Sequence, residues 1–178
     1  MSTVINRDIV IRQGAEFRDE LQRYSPRYVF EATVAGTSGS SAPTFPTTVD
    51  GTVVDSTVTW VSKGLWSPEL DSDKDVWLAS TVYARRAKVV TPVVPVDLTG
   101  YTGAFQIRAT LTATAALHTG TVTFGTLANG EFNMIITTVA TAALSFDSAV
   151  YDLELSTSSG EVDFVLRGNV TMIKEVTR

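Results

Sequence analysis

Apolar and polar residues alternate along much of this chain with a period of two, which is the pattern of β-strands with one buried face. The alternation is clearest after Val96. Ala-Asn-Gly at 128–130 favours a tight hairpin turn, and 115–118 is predicted as another turn. Helical composition occurs there only at 138–144, enough for about one turn. The predicted strands are 104–113, 120–126, 131–138, 149–156 and 162–173.

The first half of the chain is less regular. Residues 8–13 predict a strand with Ile9 and Ile11 on one face, and Gly14 ends it. Strands are also predicted at 27–35 and 51–60, on either side of a loop rich in Gly, Ser, Thr and Pro at 36–49. Residues 75–90 fit either two short strands or a strand and a helical turn. Two prolines at 91–95 then predict a stiff extended linker.

The composition supports an all-β fold, because Thr and Val make up more than a quarter of the residues and β-branched side chains favour strands. A net charge of −5 gives no basic surface for nucleic acid. The chain has no cysteine, which excludes disulfides and thiolate chemistry. No stretch approaches the roughly 18 apolar residues of a membrane span, and charges interrupt the apolar run near the N-terminus. We expect synthesis in a cytoplasm, no signal peptide and no membrane insertion.

Several segments together resemble a family of small phage tail-region proteins. They are IVIRQGAEF near the start, VDLTGYTGAFQIR in the middle, and TVATAAL, AVYDLELSTSSGEVDFVLRGNVTM and KEVTR towards the end. They are similar to the N-terminal immunoglobulin-like domain of phage baseplate upper proteins, over residues 1–21 and about 93–178. The resemblance implies an immunoglobulin-like antiparallel β-sandwich in a virion protein.

The spacing between Gly14 and Val96 departs from that family by about 65 added residues. The added stretch resembles a small β module of phage tail fibres, whose W-x-x-x-T-x-Y element is similar to VWLASTVY at 76–83. We therefore predict a discontinuous sandwich formed by 1–24 and 91–178, interrupted by a module at 25–90. Phe105 and Ile107 should then pack with Ile9 and not with Trp77, and the two ends of the module should lie close together.

The inserted stretch contains all three tryptophans, and these could form a sugar-binding platform of exposed rings flanked by carboxylates. The alternative, which we favour, is that a module this small needs large aromatic side chains to form any core. Burial of the indole rings distinguishes the two. The candidate residues for contact with a glycan or a partner are Trp60, Trp66, Trp77, Tyr83, Asp71 and Asp73.

No catalytic set can be assembled from the sequence, so we expect neither an enzyme nor a cofactor. Asp71, Asp73 and Asp75 resemble the start of a calcium loop, but valines stand at the sixth and twelfth positions, where an EF-hand has Gly and Glu. His118 is the only histidine, which excludes a histidine metal cluster. A basic group at 85–88 is interpreted as a solvated strand edge.

Three functions remain open at this stage. The first is a structural virion protein of a tailed bacteriophage, docked to tail or baseplate subunits or acting as a peripheral adaptor, with the segments 1–5 and 174–178 pairing with neighbours. The second is a capsid decoration or head-fibre protein. The third is a module that binds a glycan of the host surface. In each virion role we expect contacts with other virion subunits and a homo-oligomer in the particle.

Overall fold

The computed structural model describes residues 3–67 and 74–175. The chain forms two compact units, one made of residues 1–24 and 95–178 and the other of residues 25–94. The fold is all-β, as predicted. The predicted module ended at residue 90, whereas Thr91–Val94 belong to the second unit.

The first unit is the interrupted domain, and its described residues form eight strands, a 3₁₀ turn at Leu127–Asn129 and one short α-helix, α1, at Thr138–Ala143. Three strands precede the second unit along the chain, namely β1 (Thr3–Asn6), β2 (Ile9–Arg12) and β3 (Phe17–Gln22). The strands that follow it are β11 (Thr102–Arg108), β12 (Ala116–Phe124), β13 (Glu131–Ile136), β14 (Ser148–Ser156) and β15 (Val162–Ile173). An isolated antiparallel bridge also pairs Tyr24 with Pro95.

The strands follow one hydrogen-bonded order, β1-β15-β14-β11-β12-β13-β3, with β2 also on β15. The strand β12 passes from one sheet to the other, because Ala116–Gly120 pair with β11 whereas Thr121–Phe124 pair with β13. At this corner a Cβ on Gly120 would lie 2.3 Å from Cδ1 of Phe105, so only glycine fits. A strand that changes sheet in this way closes a sandwich.

One layer contains β15, β14, β11 and the first half of β12, and the other contains the second half of β12, β13 and β3. One pairing differs from the predicted antiparallel arrangement, since β1 and β2 run parallel to β15. Parallel strands need a long connection, and here the whole chain between β2 and β15 supplies it.

A single apolar core fills the sandwich. Phe105 and Ile107 from β11 share it with Ile9 and Ile11 from β2, and all four side chains are buried. This confirms that the strand after Val96 lies in the same domain as the strand some 90 residues earlier, because Trp77 belongs to a different core. Other fully buried members include Leu98, Phe132, Met134, Ile136, Tyr151, Leu153, Leu155 and Val170.

Local predictions for this unit were mostly confirmed. The single helical turn predicted at 138–144 is α1, which Thr137 caps by accepting a hydrogen bond from the N–H of Ala140 at 3.3 Å. The turn predicted at 115–118 was wrong, because Ala116 already begins β12 and the turn lies just before it. The residues at 115–118 carry only a weak preference of their own, so pairing with β11 decides the conformation of this stretch.

The strands of the second unit are β4 (Tyr28–Val34), β5 (Gly36–Thr37), β6 (Thr52–Asp55), β7 (Val58–Leu65), β8 (Asp75–Val76), β9 (Val82–Tyr83) and β10 (Lys88–Val90). They form a sheet in the order β6-β7-β4-β10-β8 and a separate pair β5-β9. The stretch 51–60, predicted as one strand, is a hairpin that turns at Ser56 and Thr57. Ser56 adopts a left-handed φ of 58°, which short hairpin turns require.

The two ends of the second unit meet. The N–H of Ser25 donates to the carbonyl of Val94 at 2.9 Å, and the neighbouring N–H of Val96 donates to Arg23 at 3.0 Å. Adjacent ends are what an insertion into a loop requires, because the host strands on either side keep their positions. The expectation of close ends is confirmed.

Tyr151 of β14 holds the break between β1 and β2, and replacing it with phenylalanine should cost about 1 kcal/mol. Its hydroxyl donates to the carbonyl of Arg7 at 2.6 Å. Burial of the ring raises the pKa of Tyr151 to about 12. The folded chain therefore keeps a proton that the unfolded chain loses near pH 10, so this tyrosine's contribution to stability falls between about pH 10 and 12.

Urea denaturation of wild type and Tyr151→Phe, followed by circular dichroism at several pH values, measures this effect. The difference in unfolding free energy between the two proteins should be constant below about pH 9 and change above pH 10. A difference that does not depend on pH up to 12 would contradict the role given to the hydroxyl.

Candidate functional site

Trp60 and Trp77 lie in the core of the second unit, where they are 0% and 6% exposed. Both indole N–H groups donate to Oδ2 of the buried Asp55, at 3.1 Å and 2.8 Å. Oδ1 of the same carboxylate accepts the backbone N–H of Gly39 at 2.7 Å. The buried carboxylate is thus surrounded by three donors, as a buried charge requires.

The hairpin β6-β7 explains how Asp55 reaches this position. Asp55 ends β6 and pairs with Val58 across the two-residue turn, so its side chain points to the same face as the nearby Trp60. Tyr83 stacks edge-on against Trp60, with ring centroids 4.8 Å apart. This packing favours the core interpretation for Trp60 and Trp77, which offer no open ring face to a ligand.

The other candidate contact residues are placed differently. Trp66 is half-buried, and the guanidinium of Arg27 lies 4.7 Å from the centre of its ring, an interaction of the cation–π type. Tyr83 is half-buried, and its hydroxyl accepts the N–H of Leu78 at 2.8 Å. Asp71 and Asp73 lie outside the described residues. The structure therefore brings Trp60, Trp77 and Tyr83 together, and Trp66 lies apart from their core cluster.

Among residues 3–67 and 74–175, no three side chains of His, Cys, Asp or Glu gather as metal ligands would. His118 was predicted in a turn and lies instead in β12, opposite Ile107. It is half-buried, and that burial lowers its pKa. Its place within a strand of the sandwich favours a structural side chain.

A row of polar side chains crosses the outer face of the sandwich, and the sequence analysis did not identify it. The cross-strand register aligns Asn6, Arg167, Asp152, Gln106 and Thr119 on five neighbouring strands. We call this row the polar ladder. The Nε of Arg167 donates to Oδ1 of Asn6 at 3.2 Å. Each residue sits in a different strand, so only the register could reveal the row.

A groove of about 420 Å³ follows the polar ladder. Glu154 and the apolar Val4 and Leu111 join ladder residues in its lining. Arg108 is fixed beside it, donating to the carbonyl of Ala113 and to Oε1 of Gln106, both at 2.7 Å. Exposed apolar groups between positioned charges suit a protein partner better than a small substrate, because no reactive group is presented.

A second buried charged group is Arg23, near the end of the first stretch of the sandwich domain. Arg23 is 5% exposed and pairs with Asp163 at 3.3 Å, and the hydroxyl of Tyr101 donates to the same carboxylate oxygen at 3.3 Å. Burial and the neighbouring Asp163 raise the pKa of Tyr101. This network fixes Arg23, whose carbonyl receives the N–H of Val96, and its role is structural.

The terminal segments 1–5 and 174–178 were predicted to pair with neighbouring subunits, and part of them makes contacts within this chain instead. Thr3–Ile5 belong to β1 and pair with Phe164–Leu166 of β15. At the other end, Lys174 bonds Asp147 at 2.5 Å, and residues 176–178 lie outside the described part. The basic residues Arg85 and Arg86 are exposed. The outer side of β3 ends the strand order opposite β1 and leaves an open sheet edge.

None of the helices in the described residues is long and apolar enough to cross a membrane. The arrangement as a whole offers a polar ladder, a groove and open strand edges, all of which suit docking. Comparison with protein-family models and with curated proteins finds no match for this chain.

Proposed function

We propose that the protein is a structural virion protein of a tailed bacteriophage, which docks to other subunits in the tail or baseplate region or acts there as a peripheral adaptor. On this proposal it performs no chemistry. Its partners are other virion proteins, and several copies assemble in the particle. The protein is made in the host cytoplasm and resides in the virion.

The observation that carries the proposal is the interrupted sandwich. The two separate stretches that resemble baseplate upper proteins build one domain with one core, although some 70 residues lie between them in the chain. The stretch that resembles a tail-fibre module forms a compact unit with a core of its own. Two units with separate cores give the chain two separate modules through which to contact other subunits.

The outer face of the sandwich supplies a surface for such contacts. Arg167 and Asp152 place opposite charges side by side on adjacent strands, and Val4 and Leu111, which are 48% and 78% exposed, provide apolar area next to them. Charged groups of both signs around apolar contacts give specificity to a docking surface.

Mass spectrometry of separated heads and tails, from particles of the phage that encodes this sequence, tests the proposal. We expect tryptic peptides of the protein in the tail fraction, at a constant ratio to a tail subunit. Enrichment in heads would instead support the capsid decoration or head-fibre alternative. Absence from both fractions, with the protein detected in the infected cell, would overturn a virion role.

The glycan-binding alternative is weakened for the tryptophans in the core. Of its candidate residues within the described part of the chain, Trp66 and Tyr83 keep partial exposure, while Trp60 and Trp77 are buried. A carbohydrate platform stacks sugars on open ring faces, so we do not propose this function.

A further inference from the structure

The open edge of the sandwich at β3 has features of a self-pairing strand. Along β3 the exposed residues are Arg18, Glu20 and Gln22, and they alternate with half-buried residues that face the sandwich interior. One face of the strand thus carries a cation and an anion two positions apart. In the described residues, β13 is the strand that pairs with β3, and it occupies the other side.

The pairing with β13 determines which backbone groups face the open edge. The N–H of Arg23 donates to the carbonyl of Gly130 at 2.8 Å, in the same register that joins Gln22 to Glu131. In an antiparallel ladder, residues alternate between bonding to the partner strand and pointing away from it. The N–H and C=O groups of Arg18, Glu20 and Gln22 are therefore directed outward.

These same three residues can bond to a second copy of β3 related by a twofold axis. If the axis passes beside Asp19, each Arg18 stands directly opposite Glu20 of the other copy, and each pair exchanges two backbone hydrogen bonds. The charges on the exposed face then alternate in sign across the junction. The strand is complementary to itself in this register, because shifting it by two residues would place Glu20 against Glu20.

The inner face of the strand fits this register as well. Phe17 and Leu21, which pack partly against the core, would meet each other across the junction. The two Asp19 side chains would face each other at the axis, which opposes pairing. Each of them is bonded to the guanidinium of Arg7 at 3.0 Å, and this neighbouring cation offsets the repulsion.

We propose that two copies of this protein associate through β3, antiparallel and about a twofold axis at Asp19, so that their β13-β3 layers form one continuous sheet. The occupant of the open edge is a second copy of the chain. A single strand pair buries little area, so the dimer is weak in solution, with a Kd on the order of 100 µM. The high local concentration in an assembly would favour it.

Sedimentation equilibrium over a concentration series, with charge-reversal variants, tests the ion pairs. Arg18→Glu and Glu20→Arg should each raise Kd at least about tenfold, because two symmetric pairs become repulsive. The double variant restores both pairs with reversed polarity and should return Kd to within about threefold of wild type. Lys63→Glu, an exposed change of equal charge on β7, is the control and should leave Kd unchanged.

Cross-linking tests the axis directly, since the chain has no cysteine of its own. In a non-hydrogen-bonded antiparallel pair the two Cα atoms at position 19 would lie about 4.5 Å apart, within the range of a disulfide. Asp19→Cys should form a covalent dimer with glutathione disulfide. Glu20→Cys is the matched control, because its own symmetry mate lies beyond about 7 Å and should cross-link far more slowly.

Each outcome decides the matter. Wild-type protein that stays monomeric up to roughly 1 mM would overturn the proposal. So would a dimer insensitive to both single variants, a double variant that stays as weak as the singles, or equal cross-linking at positions 19 and 20. Circular dichroism of each variant verifies that it is folded. The dimer rests on the self-association expected under the proposed function and gives it a geometry. Sedimentation and cross-linking of the purified protein test the dimer separately from the question of whether the protein is found in particles.

Discussion

Replacing Asp55 with alanine should destabilise the second unit by about 4 kcal/mol, because three donors lose their acceptor in a closed core. The indole groups of Trp60 and Trp77 and the N–H of Gly39 all bond this carboxylate, which is 3% exposed. An unsatisfied buried donor costs about 1–3 kcal/mol. The expected result is a second unit that unfolds at much lower urea concentration, or is unfolded in water.

Tryptophan fluorescence measures this effect selectively, since all three tryptophans lie in the second unit and the first unit has none. Circular dichroism should also show the unfolding transition of the sandwich, with its midpoint at the wild-type urea concentration, because the sandwich has its own core. Asp75→Ala, an exposed aspartate of the same unit, is the control and should change stability by less than about 0.5 kcal/mol. An equally small effect of Asp55→Ala would show that the carboxylate is dispensable.

Replacing Phe105 with alanine should destabilise the sandwich by about 3–5 kcal/mol and leave the second unit at its wild-type stability. The ring is completely buried, and it stands edge-on to Tyr151 with centroids 5.9 Å apart. It also fills the corner of β12 where a Cβ on Gly120 would clash. Removing it leaves a cavity between the two layers that the strands cannot close without changing their register.

Circular dichroism should show the loss of the sandwich transition in Phe105→Ala, while tryptophan fluorescence keeps its wild-type midpoint. Leu111→Ala, at a residue that is 78% exposed, provides a matched truncation at the surface and should be close to neutral. If Phe105→Ala shifted the fluorescence transition as much as the dichroism transition, the two units would unfold together and their separate cores would not define separate folding units.

Much of the fold could be predicted because the signals are local. Alternation with a period of two identified β2, β11, β13, β14 and β15 and the residues that face the core, since a strand buries every second side chain. The change in composition at residue 25 marked the inserted unit. The helical turn at 138–143 was also visible, because short segments with a threonine cap and alanines carry their own preference.

The missed features depend on contacts between distant residues. No local pattern distinguishes the hairpin at 52–65 from one strand, since Asp55, Ser56 and Thr57 form the turn only because Val58–Val61 pair back onto β6. The candidate site was affected in the same way. The tryptophans suggested a platform as well as a core, and their burial follows from a carboxylate 22 residues away from Trp77.

The sequence by itself determined the fold class and the strands with one buried face, because both follow from residue type and spacing, whereas the interruption of one domain by another was predicted from the resemblance to a known family. The tertiary structure alone decided which strands are neighbours: the parallel contact of β1 with β15, the change of sheet at Gly120, the polar ladder and the open edge of β3. Strand pairing joins segments far apart in the chain, and its energy comes from register and packing that no single segment encodes.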